Sequence, residues 1–107
     1  MSGRDRRALE SYLQVLLLHL LKWRYQPLRR QTGQSWAASI REARTRIAAG
    51  LLEHPGLRQY VAACLARAWP KARRDASRQT GLPLATFPTV CPWTMEQLYD
   101  HDFFPAS

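Results

Sequence analysis

Apolar residues recur at three- and four-residue steps in three stretches of the chain, each ended by proline or glycine. That period predicts helices rather than strands. In the first stretch, residues 4–26, Ala8, Leu9, Tyr12, Leu13, Leu16, Leu17, Leu20 and Trp23 fall on one side of a helical wheel. Arg7, Glu10, Ser11, Gln14 and Lys22 mark a narrow polar stripe opposite, which Leu18 and Leu21 interrupt. So wide an apolar arc predicts a central helix with neighbours on more than one side. Pro27 disfavours the helical conformation at Gln26 and stops it.

The polar segment from Leu28 to Gln34 reads as an exposed loop, and Ser35 as the N-cap of a second helix over 35–53. Trp36, Ile40, Ala43, Ile47, Leu51 and Leu52 form its apolar face, with Glu42, Thr45, Arg46 and Glu53 opposite. Glu42 and Arg46 are correctly ordered for an i,i+4 pair. His54-Pro55-Gly56 breaks the chain, and Leu57, Val61, Cys64, Leu65, Ala68, Ala72 and Ala76 predict a third helix over 56–80. Pro70 removes a hydrogen bond inside it, which predicts a kink or a split there. Gly81 is placed to cap its end.

Three prolines in residues 82–93 predict an extended strap pinned by Leu84, Phe87 and Trp93. Thr94 and Gln97 fit a capping box, with Trp93 and Leu98 as its staple, opening a short helix over 94–100. Phe103 and Phe104 are expected to fold back onto the body. The expected fold is therefore all-α, one domain over 1–107, built as a bundle of three main helices with a strap and a short C-terminal helix.

A chain of 107 residues is too short for two ordinary domains. No apolar run is long enough to span a bilayer, so no membrane association is expected. The N-terminus lacks the apolar core of a signal peptide, which predicts a cytoplasmic protein. Cys64 and Cys91 have no metal-ligand spacing and read as reduced thiols.

Charge adds a second theme. Sixteen basic residues against eight acids leave +8. All sixteen lie in residues 1–81 with five of the acids, leaving +11 there and −3 in the rest. A basic body suits nucleic acid or another acidic partner. Fourteen of the sixteen are Arg, and Ala is equally abundant; both have GC-rich codons, so genome composition is an equal explanation.

Leu16-Leu17-Leu18-His19-Leu20-Leu21-Lys22-Trp23, then Gln26-Pro27, Ser35-Trp36 and Ile40-Arg41-Glu42 with Arg44, resemble the DUF29 family. So do Thr80-Gly81-Leu82-Pro83, Phe87-Pro88, Cys91-Pro92 and Phe104-Pro105, so the resemblance covers nearly the whole chain. It implies a bacterial, all-helical protein from a family without an assigned activity. The departure is at the front, where family members carry a further helical segment before the region matching Arg4. Its absence predicts exposed apolar surface around Leu18, Leu21 and Tyr25, covered by self-association or a partner.

Candidate chemistry is sparse. His19 is a base or ligand only if an acid orients it, and none lies within a helical turn; a histidine bonded to backbone is the simpler reading. Arg44, at the edge of the second helix's apolar face, suits a phosphate or a neighbouring carbonyl. Cys91, just before a helix N-terminus, sits where a dipole can lower a thiol pKa, but a structural turn with the Cys packed inside is the favoured reading. Asp100-His101-Asp102 reads as a solvated end rather than a metal site. Lys22, Arg24, Arg29 and Arg30 form one basic cluster, and Lys71, Arg73, Arg74 and Arg78 a second. No cofactor or metal is expected. The favoured reading is a non-enzymatic module associating with itself or another protein. Nucleic-acid binding through the two clusters is the alternative, and an enzyme using His19, Arg44 and Cys91 the remote one.

Overall fold

The computed structural model describes residues 3–30 and 36–106. The expected N-cap at Ser35 and most of the predicted loop before it lie outside the described residues. Four α-helices follow in order: α1 (Gly3–Tyr25), α2 (Trp36–Glu53), α3 (Val61–Thr80) and α4 (Met95–Tyr99). Short 3₁₀ turns occupy Pro27–Arg29, Pro55–Tyr60 and Leu84–Thr86, and no strand occurs among the described residues.

Cross-links fix the helix directions. Asp5 lies near His54, and the ring of Tyr12 near Arg46, so α1 and α2 run antiparallel. Glu10 meets Arg67 and Lys71 while Gln14 meets Asp75, so α1 and α3 run parallel. Among the described residues α2 and α3 meet only through the Pro55–Tyr60 turn, and α1 lies between them. Leu9, Leu13, Leu16, Leu17, Leu20 and Leu21 are all buried, as a helix packed on both flanks requires.

That geometry corrects one expectation. Leu18 and Leu21 are buried, at 9% and 0% exposure, and Tyr25 is half-buried with its ring 5.0 Å from that of Phe87. Part of the polar stripe faces α3: Glu10 and Gln14 bond to α3 side chains, and Leu18 lines a hollow beside Asp75. The apolar surface predicted there is internal.

Pro70 does not split the third helix, which is continuous from Val61 to Thr80. The carbonyl of Ala66 loses its helical partner, but Ala66 and Pro70 are both exposed, so water can serve it. On the inner side Ala68, Trp69 and Ala72 are buried and hold both halves in register. The first turns of the predicted 56–80 segment are 3₁₀ rather than α. Gly81 closes the helix at φ +78°, the left-handed region that glycine enters without cost.

The strap is held by donors at four-residue steps on α3. Trp69 Nε1 donates to the carbonyls of Pro88 and Thr89 at 3.2 and 3.0 Å, Arg73 Nε to Phe87 at 3.0 Å, and Ser77 Oγ to Leu82 at 2.8 Å. Phe87 and Trp93 are buried anchors, while Leu84 is 40% exposed on its 3₁₀ turn. The capping box is complete: Gln97 N–H donates to Thr94 Oγ1 at 3.1 Å, and Thr94 N–H to Gln97 Oε1 at 2.9 Å. Phe104 returns to Trp23, ring centroids 4.7 Å apart.

Candidate functional site

The three residues of the enzymatic reading are engaged separately. His19, half-buried on α1, donates through Nδ1 to the Val15 carbonyl at 2.8 Å. Burial holds its pKa below the ordinary value, and nearby Lys22 acts in the same direction against that hydrogen bond. Arg44 is 2% exposed and spans the end of α4, donating Nε to Leu98, Nη1 to Phe103 and Nη2 to Gln97, all carbonyls, at 2.9, 2.8 and 3.1 Å. Burial lowers its pKa and Asp100 opposes that shift, yet a guanidinium starts high enough to stay charged. Cys91 Sγ donates to the Trp93 carbonyl at 3.7 Å on the strap. Burial pushes its thiol pKa up, which weighs against an activated thiol before a helix N-terminus and fits the structural turn. Its apolar surroundings outweigh the dipole of a helix only five residues long. Arg44 lines the groove beside α4 and Cys91 the one beside the strap, while His19 stays against its own helix.

The basic clusters are drawn inward. Lys71 Nζ lies 2.7 Å from Glu10 and Arg78 Nη2 2.7 Å from Asp75. Arg73 holds the strap at Phe87. Arg30 Nε donates to the Trp23 carbonyl at 2.7 Å, with its guanidinium over the Trp23 ring at 4.8 Å, and Arg24 lies over Tyr25 at 5.2 Å. Lys22 is half-buried, and burial lowers its ammonium pKa. Arg29 and Arg74 are exposed. The first cluster sits at the C-terminal end of α1, the second farther back on α3. Glu10, between Arg67 and Lys71, has its carboxyl held below the usual range, first by the Lys71 hydrogen bond and then by that of Arg67.

Asp100 Oδ1 accepts from the Asp102 N–H at 2.9 Å, closing a local turn. Among the described residues no group of three His, Cys, Asp or Glu side chains is placed to hold a metal ion. No helix among them is long and apolar enough to cross a membrane.

An apolar groove lies elsewhere. Between α2 and α4 runs a groove of about 390 Å³, floored by Ile47, Ala48, Leu51 and Leu98. Leu52 and Tyr99 stand at its rim, 81% and 38% exposed, and Arg58 closes one end. Leu52 was expected on the inner face of the second helix. It is one position past Leu51, and α4 is too short to reach over it. Burial raises the Tyr99 hydroxyl pKa, with nearby Arg58 opposing. Sequence spacing carried no signal for this groove, which depends on where α4 stops.

What fold and site define is a small helical bundle with an apolar surface groove, most of whose clustered cations are committed to its own carboxylates, carbonyls and rings. The chain belongs to the DUF29 family: the family model described as "Domain of unknown function DUF29" matches residues 1–104. No curated protein and no solved structure matches it.

Proposed function

We propose that this chain is a non-enzymatic interaction module acting through protein–protein association. The observation supporting it is Leu52, 81% exposed on the lip of the apolar α2–α4 groove. Burying one such leucine in a complex is worth about 1.5–3 kcal/mol, so a neighbour that fills the groove has a clear gain. An enzymatic reading lacks that support, since His19, Arg44 and Cys91 are spent on three different stretches of backbone.

A hydrophobic dye should bind the native protein, and Leu52→Lys should remove most of that signal while leaving the helical circular dichroism unchanged. Size-exclusion light scattering on the same samples reads any self-association. A monomer that binds no dye overturns the reading.

Nucleic-acid binding keeps a narrower basis, the +8 charge and exposed Arg24, Arg29 and Arg74. If about five phosphates were neutralised on duplex DNA, log affinity would fall against log salt with a slope of about −4.5. A slope near zero removes it. Co-eluting nucleic acid would also raise the 260/280 nm absorbance ratio.

A further inference from the structure

The charged side chains that line the groove are both arginines. Arg58 closes its end and forms no ion pair among the described residues. The Tyr99 hydroxyl is close enough to feel its charge. Arg44 lies beneath, already occupied by three carbonyls. Among the described residues no acidic side chain lines the cavity, although Asp100 lies near the buried Arg44; Glu53, next to Leu52, lines the hollow on the α1 side instead, with Asp5 and His54.

Along α2, Arg41, Thr45, Ala48 and Leu52 are all exposed and fall at i, i+4, i+7 and i+11. At 1.5 Å rise per residue this is one straight stripe about 16 Å long. Its middle is small, which lets another helix approach closely, and both ends of the strip are cationic: Arg41 at one, Arg58 just past the other.

We propose that this groove docks an amphipathic helix of a partner protein, whose apolar residues cover Leu52 and the groove floor and whose carboxylates meet Arg58 and Arg41. This names the partner class for the association proposed above and rests on that reading. Helix-in-groove recognition uses apolar anchors at i, i+3 or i+4, and i+7, the spacing with which the Ala48–Leu52 edge is itself built. A second copy of this chain is the poorer occupant. A two-fold pairing along α2 uses the same stripe on both copies, so whether the stripes run antiparallel (Arg41 against Arg58) or parallel (Arg41 against Arg41), like charges face each other at both ends. Such juxtapositions weigh against a partner.

The test uses the full chain and two fluorescent synthetic helices of about 14 residues, long enough to cover the stripe. Both carry leucines at i, i+4 and i+7; one has glutamates on the flanks of that face, the other lysines. Anisotropy titrations should show the Glu helix binding and the Lys helix binding at least about tenfold more weakly. Arg58→Glu should reverse that preference, and Leu52→Asp should abolish binding of both. Both positions are exposed, and unchanged circular dichroism verifies that the variants fold.

Equal binding of the two helices, lost in Leu52→Asp, overturns the acidic partner but leaves association through the groove standing. A dimer dissolved by Leu52→Asp does the same. Binding to neither helix overturns the acidic partner, and if the dye signal is also indifferent to Leu52, the broader reading falls with it.

Discussion

Arg44 on α2 donates from Nε to the carbonyl of Leu98 at 2.9 Å, tying the middle of an eighteen-residue helix to the end of a five-residue one. Helices shorter than about 12–15 residues are marginal in water on their own. The α4 turn therefore depends on what grips its two ends: the Thr94–Gln97 box at the start and the Arg44 fork at the finish. The same fork fastens the returning tail through Phe103 and so sets one wall of the groove.

Arg44→Met keeps much of the side-chain volume but leaves three carbonyls without their donor. We expect a loss of about 3 kcal/mol in urea unfolding and faster hydrogen exchange at the amides of Leu98 and Asp100. Arg44→Lys should recover only part of the loss, since one ammonium cannot reproduce a planar three-way fork. A methionine variant within about 0.5 kcal/mol of the parent would mean the fork is ornamental.

Thr94→Ala removes the acceptor for the Gln97 amide and should cost about 1 kcal/mol. Because the two halves of the box are reciprocal, Gln97→Ala added to Thr94→Ala should cost less than the separate losses together, a coupling that a double-mutant cycle reads directly. Additive losses would show that the two bonds act independently.

Pro70→Ala should stabilise the protein. Alanine restores an N–H for the Ala66 carbonyl and relieves the ring clash, and the cost of a mid-helix proline outweighs the unfolded-state freedom that alanine adds. The net gain should be about 1–2 kcal/mol, visible as a rise in Tm. A fall in Tm would show that the proline ring, on the wall of the hollow beside the strap, packs in a way alanine cannot match.

The three long helices were legible because periodicity and terminators are local, and so was the Thr94 box, whose partners lie three residues apart. Leu18 and Leu21 were misread because nothing local states which flank of α1 the distant α3 will cover; Glu10 and Gln14 look like solvent-facing polar residues until Lys71 and Asp75 arrive from 61 positions away. Arg73 looked like a phosphate ligand for the same reason: its acceptor, the Phe87 carbonyl, belongs to a strap whose path no spacing rule predicts. The groove was hidden because it depends on where α4 stops. An exposed Leu52 follows from the brevity of its neighbour rather than from its own position on a wheel.

Acid should weaken the fold in two separate windows. His19 has a folded pKa depressed chiefly by burial, so the unfolded chain binds its proton more readily. Its contribution is fully present above the unfolded value of about 6.5 and is lost as pH falls from there through the folded pKa. Glu10 is also depressed, by its hydrogen bonds to Lys71 and Arg67. Its contribution is intact above about 4.3 and is lost only as pH falls through its lower folded value. Urea midpoints measured against pH should therefore decline twice. His19→Gln should flatten the upper decline alone, and Glu10→Gln the lower one, at the cost of a weaker protein near neutrality because Arg67 and Lys71 lose their shared carboxylate. An NMR titration placing the His19 imidazole at or above the ordinary histidine value would refute the first window, whatever the urea curves show.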